Sequence, residues 1–136
     1  MDCIFCKIVA GQVEAPKIYE NDSTFVFLSN SPNNLGHSLV IPKKHFENIY
    51  EIDENTLAEV AKTFGKVANA IKKSLNAKGV NIIQNNERAG GQGVFHIHFH
   101  VIPRYQDDDF DHWKQFTQYK KGEENEYVER IRKNLA

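Results

Sequence analysis

Three of the six histidines stand at alternate positions in one short run, Val94-Phe95-His96-Ile97-His98-Phe99-His100-Val101. As a β-strand from Val94 to Ile102, its two-residue period would send the imidazoles to one face and Phe95, Ile97, Phe99 and Val101 to the other. The apolar face then belongs to a core and the imidazole face lines a site, since a plain half-exposed strand would more often carry Thr, Lys or Glu. Two chemistries suit such a row. A neutral ring can attack an electrophile through one nitrogen while an acceptor holds the proton of the other. Three rings can also ligate a metal, for which His-x-His is a familiar spacing.

A second group of residues bears on that choice. Cys3 and Cys6, spaced Cys-x-x-Cys, can share one tetrahedral ion; with His45 and one strand histidine they would close a four-ligand site and leave the other two histidines metal-free. A redox pair would need a core strand just ahead of the cysteines, and Met1 and Asp2 leave no room for one. A nucleic-acid-binding finger is disfavoured by the wide separation of the histidines and by the charge balance. The chain carries 17 basic and 18 acidic residues, so no global field draws it onto nucleic acid or an anionic membrane. No apolar stretch is long enough for a membrane span or a signal peptide, and a cytoplasmic location is the expectation.

The elements that must position these residues follow from patterning. At 136 residues and 40% hydrophobic, one domain over 1–136 is expected. Lys17 to Tyr19, Thr24 to Leu28 and Ser38 to Ile41 read as three antiparallel strands, separated by turn-rich segments. Asp53 is a good N-cap, and behind it Leu57, Val60, Ala61, Phe64, Val67, Ala68, Ile71 and Leu75 recur at helical steps, giving one long amphipathic helix that ends before Gly79. Val80 to Gln84 and the histidine run are two further strands, the last bounded by Pro103. After Tyr105 the chain becomes acidic, and a final helix starts near Glu123, with Tyr127, Ile131 and Leu135 at four-residue steps.

The run from Phe95 to Pro103 resembles the signature of the histidine-triad superfamily, closest to its Hint-like bacterial branch. The likeness extends to Gly36-His37-Ser38-Leu39-Val40-Ile41-Pro42-Lys43-Lys44-His45, to Gln84-Asn85-Asn86 and to Gly91-Gln92, and so covers roughly positions 3 to 105. It implies an α+β domain in which a five-stranded antiparallel sheet carries one long helix and short terminal helices, usually as a homodimer. It implies a purine nucleotide bound by its α-phosphate, with His98 as nucleophile locked by a backbone carbonyl, and with His100 and His37 as the other catalytic histidines. Asn86, Gln92 and Gly93 match nucleotide-binding positions, alongside His98 and His100. Zinc-bearing members imply a structural zinc on Cys3, Cys6, His45 and His96. Two positions depart from the family pattern: Ser29 stands where an aspartate commonly grips the ribose, and Gly93 where a Ser or Thr usually flanks the phosphate. Ser29 can still accept one ribose hydrogen bond, and Gly93 still offers its backbone N–H.

The resulting expectation is hydrolysis at the α-phosphate of a nucleoside phosphoramidate or related nucleotide through a nucleotidyl-histidine. A dinucleoside polyphosphate hydrolase or a nucleotidyl transferase would use the same step, and a non-catalytic nucleotide-binding dimer is a third class. The stretch Gln106 to Trp113 reads as a solvated acidic loop, with Phe110 and Trp113 expected to dock on the body or a partner.

Overall fold

The computed structural model describes residues 2–108 and 117–135. Five strands form one wholly antiparallel sheet: β1 (Lys17–Glu20), β2 (Thr24–Leu28), β3 (Ser38–Pro42), β4 (Gly79–Gln84) and β5 (Phe99–Arg104), in the order β1-β2-β3-β5-β4. The helices are α1 (Ile4–Val9), α2 (Glu54–Ser74) and α3 (Glu123–Arg132). No described helix is long and apolar enough to cross a membrane.

The two sheet faces have different covers, which explains why β2 and β3 are apolar without a break. Val26, Val40, Phe99 and Val101 pack with Val60, Val67 and Ile71 of α2. Phe25, Phe27, Leu39 and Ile41 face the other way, onto Phe5 and Ile8 of α1. Central strands sandwiched between helices lose the polar-out half of their alternation. Asp53 caps α2 as expected, its carboxylate accepting from the Thr56 N–H at 3.0 Å. The buried hydroxyls of Thr24 and Thr63 meet at 3.0 Å and so satisfy each other between β2 and α2.

The histidine run departs from the expected strand. β5 begins only at Phe99, and residues 94–98 approach it as an irregular segment. The physical reason lies in the neighbours: the β3 ladder ends at the Val40–Phe99 pair and the β4 ladder at Gln84–Phe99, so residues before Phe99 have no strand to pair with. The Ile97 N–H is satisfied instead by the Phe46 carbonyl at 2.8 Å. The alternation persists in part, because Ile97, Phe99 and Val101 are buried in the core while Phe95 is only half-buried, with the Arg88 guanidinium 5.8 Å above its ring.

Pro103 lies inside β5 rather than beyond it. The β3 side of the strand is open past Val101, so the missing N–H breaks no ladder bond. The Asn34 side chain fills that side, donating to the Pro103 carbonyl at 2.9 Å. Asn34 also bonds Asp108 at 3.1 Å, and Asp108 pairs with Arg104 at 2.6 Å. Asp108 is thus a largely buried anchor and not part of a solvated loop; Asp109 to Trp113, including Phe110 and Trp113, lie outside the described residues.

Candidate active site and metal centre

His98 is 7% exposed and its ring nitrogen Nδ1 lies 2.8 Å from the His96 carbonyl. A carbonyl only accepts, so Nδ1 carries the proton and Nε2 the lone pair. Among the described residues Nε2 has no hydrogen-bond partner. Burial pushes the His98 pKa below its ordinary value, against the opposing pull of that carbonyl, and the ring stays neutral near pH 7.

His100 is the second member of β5, and its ring centroid is 4.9 Å from that of His98. Its Nδ1 meets Nε2 of His37 at 2.9 Å. Burial first, then the neighbouring His98 and His37, hold His100 down to about 4. His37 is likewise shifted down by burial and by His98. Gly36 makes this placement possible: its φ is +98°, and any Cβ there would collide with the Leu75 side chain.

His98 and His100 line a cavity of about 470 Å³ together with Ile4, Phe5, Ile8, Ser29, Asn30 and Gly93. The volume suits a small nucleotide-sized ligand. A side chain at Gly93 would meet open space, and among the described residues its N–H is unpaired. The structure therefore brings His98, His100, Ser29 and Gly93 to one cavity, with His37 directly behind His100.

Asn86 and Gln92 are elsewhere. The Gln92 side chain is buried, accepting from the Glu87 N–H at 2.7 Å and donating to the carbonyls of Glu47 and Val94 at 2.7 and 3.0 Å. Asn86 is engaged with Gln84 through two bonds of 2.7 and 2.9 Å and accepts from the Ile49 N–H at 2.9 Å. Both side chains spend their polar groups on bracing the 84–94 loop, a use that the Gln84-Asn85-Asn86 and Gly91-Gln92 motifs do not disclose, because position in sequence carries no side-chain direction.

On the other side of Phe5, the ligand atoms of Cys3, Cys6, His45 and His96 all lie within 4.8 Å of one another. The separations are 3.5 Å for Cys3 Sγ–His96 Nδ1 and Cys6 Sγ–His45 Nδ1, 3.6 Å for Cys6 Sγ–His96 Nδ1 and 3.2 Å for His45 Nδ1–His96 Nδ1. A tetrahedral ion with metal–sulfur bonds of ~2.3 Å and metal–nitrogen bonds of ~2.0–2.1 Å requires S···N edges of ~3.5 Å and N···N edges of ~3.3 Å. The donor set fits such an ion. His96 is fully buried, held down to about 4 mainly by that burial, and donates Nε2–H to the Pro42 carbonyl at 2.9 Å. That leaves Nδ1 as the coordinating lone pair and fixes the ring by an outer hydrogen bond. The Cys6 N–H donates to Cys3 Sγ at 3.4 Å, tying the start of α1 to the same cluster.

The HIT domain model matches residues 10–107. An uncharacterised HIT-like protein of Methanocaldococcus jannaschii is 45% identical over 78% of this chain and 81% of its own length. An adenosine 5′-monophosphoramidase of Schizosaccharomyces pombe is 38% identical over 76% of this chain and 75% of its own length. An adenylylsulfatase of Arabidopsis thaliana is 38% identical over 79% of this chain, which corresponds to 54% of that longer protein. Among solved structures, a HIT-family protein from Bacillus subtilis matches with a TM-score of 0.92 and 38% identity, covering 100% of this chain and 99% of that one. A zinc-bound histidine triad family protein from Mycobacterium smegmatis matches with a TM-score of 0.79 and 37% identity, over 86% and 85% of the two chains. With the domain model spanning most of the chain and relatives of this identity, the protein belongs to the HIT-domain family.

Proposed function

We propose that this protein hydrolyses a nucleoside phosphoramidate or a related nucleotide at its α-phosphate through a covalent intermediate on His98. The observation that carries this reading is the His98 ring: neutral, proton fixed on Nδ1 by the His96 carbonyl at 2.8 Å, and lone pair on Nε2 at the wall of the cavity. Nucleophilic catalysis by an imidazole needs that arrangement. In the first step Nε2 forms a bond to the α-phosphorus as the phosphorus–nitrogen or phosphorus–oxygen bond of the leaving group breaks. The leaving group departs with that electron pair and takes a proton supplied by solvent. In the second step water attacks the phosphorus and gives up its surplus proton to solvent, the bond to Nε2 breaks, and its electrons return to His98. His100, backed by His37, donates to phosphoryl oxygens and to the leaving group as charge develops.

Gly93 supplies its N–H to a phosphate oxygen, Ser29 accepts from a ribose hydroxyl, and Asn86 and Gln92 hold the loop that presents Gly93. The names of the S. pombe and A. thaliana relatives favour an adenosine nucleotide, and so a purine substrate. Zinc occupies the Cys3, Cys6, His45 and His96 cluster in this reading, supported by its edge lengths and by the zinc-bound relative. With all four positions taken by protein, it supplies folding energy and no open site for water. Pairing with a second copy is supported by the free edge of β4, where Ile82 is 43% exposed.

A dinucleoside polyphosphate hydrolase or a nucleotidyl transferase would share the first step and differ in leaving group or acceptor. Turnover against adenosine and guanosine phosphoramidates, dinucleoside polyphosphates and nucleotide sugars separates them. The expected outcome is release of the nucleoside monophosphate from the phosphoramidates; binding to all with turnover of none would leave a nucleotide-binding protein.

A further inference from the structure

The proton on a neutral imidazole sits where the partner of each nitrogen allows it. Two backbone groups near the cavity fix that choice, because an amide N–H only donates and a carbonyl only accepts. The carbonyl is that of His96, already seen to place the His98 proton on Nδ1. The amide is that of Asn33, 3.1 Å from Nδ1 of His37. Nδ1 of His37 is therefore the lone-pair nitrogen, and the His37 proton is on Nε2. That atom lies 2.9 Å from Nδ1 of His100, which must accept. The His100 proton is then left on Nε2. Two adjacent rings thus hold opposite tautomers, a lone pair on Nε2 of His98 and an N–H on Nε2 of His100.

We infer that the backbone N–H of Asn33, acting through His37, is what makes His100 a hydrogen-bond donor instead of a second lone pair. Asn33 is a positioning residue, and only its amide matters: its side chain is exposed and makes no hydrogen bond among the described residues. The aim of that amide is built into the loop. Ser29 N–H donates to the His37 carbonyl at 2.9 Å, His37 N–H to the Asn34 carbonyl at 3.0 Å, and Ser31 N–H to Ser29 Oγ at 3.1 Å. The Asn34 side chain pins the loop to the Pro103 carbonyl and to Asp108, which the Tyr105 N–H holds at 2.8 Å. The loop that orients the amide is therefore fastened to the end of β5, the strand that carries His100. Were the His37 proton on Nδ1, two N–H groups would face each other at 3.1 Å, and a lone pair on Nε2 of His100 would repel phosphoryl oxygens.

This inference deepens the proposed role of His100 and rests on it for its purpose, but its test needs no turnover. Nitrogen-15 spectra of the full chain with labelled histidine, recorded near pH 8 and assigned with His37→Asn and His100→Asn, report which ring nitrogen bears each proton. The expected pattern is Nε2–H for His37 and His100 and Nδ1–H for His98. Asn33→Ala, which keeps the amide, should leave it unchanged. Asn33→Pro, which removes the amide proton, should lose the single-tautomer signals of His37 and His100 while His98 keeps its own. In turnover assays Asn33→Pro should lower kcat at least tenfold with KM changed less than threefold, and Asn33→Ala should do neither. A wild-type spectrum with the proton on Nδ1 of His37 or of His100 overturns the inference whether or not the proline variant folds. So does a folded Asn33→Pro that retains both tautomers. The stated tautomers in a protein that turns over no nucleotide would leave the inference standing and remove the proposed function.

Discussion

Ser29 and Gly93, which the sequence resemblance reads as departures from the family pattern, both line the cavity that holds His98 and His100. Gly93→Ser enters open space, so it should add one neutral hydrogen bond and tighten nucleotide binding or raise turnover by ~0.5–1.5 kcal/mol. Calorimetric titration with an adenosine monophosphate measures it. Ser29→Asp should improve ribonucleotide binding and leave 2′,3′-dideoxynucleotides, which lack both sugar hydroxyls, nearly unaffected; equal effects on both would detach Ser29 from the ribose. The buried histidines also set a pH dependence. His100 is held down to about 4, against ~6.5 in an unfolded chain. Below pH ~6.5 the unfolded chain takes up a proton that the folded chain refuses. Stability is therefore level above ~6.5 and falls as pH drops toward ~4, where the folded ring titrates as well. Urea midpoints across that window should show the decline, and His100→Asn, uncharged throughout, should show a shallower one.

Helix α1 carries Cys3 and Cys6 of the candidate metal cluster at its start and packs Phe5 and Ile8 into the core. It has six residues, too few to be stable alone. Cys3 and Cys6 tether its first turn, and Phe5 stands edge-on to both His96 and His98, with ring centroids at 5.8 and 5.2 Å. Chelation or Cys6→Ser should consequently lower Tm by about 5–10 °C, the equivalent of roughly 2 kcal/mol for a domain of this size. Activity of the fraction still folded should change far less, because no step passes through the ion. Differential scanning fluorimetry with parallel assays checks this, and rates that track metal content at constant fold would contradict it. The long helix α2 was legible from its helical periodicity, which repeats over about five turns, and strands β1 to β4 from short β-prone runs, the first three set off by turn residues. The start of β5 was not legible: alternation in Val94 to Val101 records which way side chains face, whereas a strand also needs neighbours, and these end at Phe99.

For the molecule as a whole, the sequence disclosed which residue types gather but not which atoms face which. The clustering of Cys3, Cys6, His45 and His96 and the adjacency of His37 to His100 were both reachable from motifs. The bracing roles of Asn86 and Gln92, the burial of Asp108 and the direction of the Asn33 amide depend on loop conformations that no residue-type pattern encodes. One surface feature points beyond the single chain. Strand β4 is a sheet edge bearing Ile82, and an open apolar edge favours pairing. Sedimentation should show a dimer, and Ile82→Lys should shift it toward monomer; an unchanged sedimentation coefficient would exclude β4 from the contact.

The reading of His98 as nucleophile meets its most direct test in the covalent intermediate. Protein quenched in acid-free denaturant during turnover of an adenosine phosphoramidate, then digested and analysed by mass spectrometry, should carry one nucleotidyl group on the peptide containing His98. His98→Ala should carry none, should still bind nucleotide, and should lose about four orders of magnitude in turnover, equivalent to ~5.4 kcal/mol of transition-state stabilisation. Full activity in His98→Ala, or a nucleotidyl group on any other residue, would contradict it.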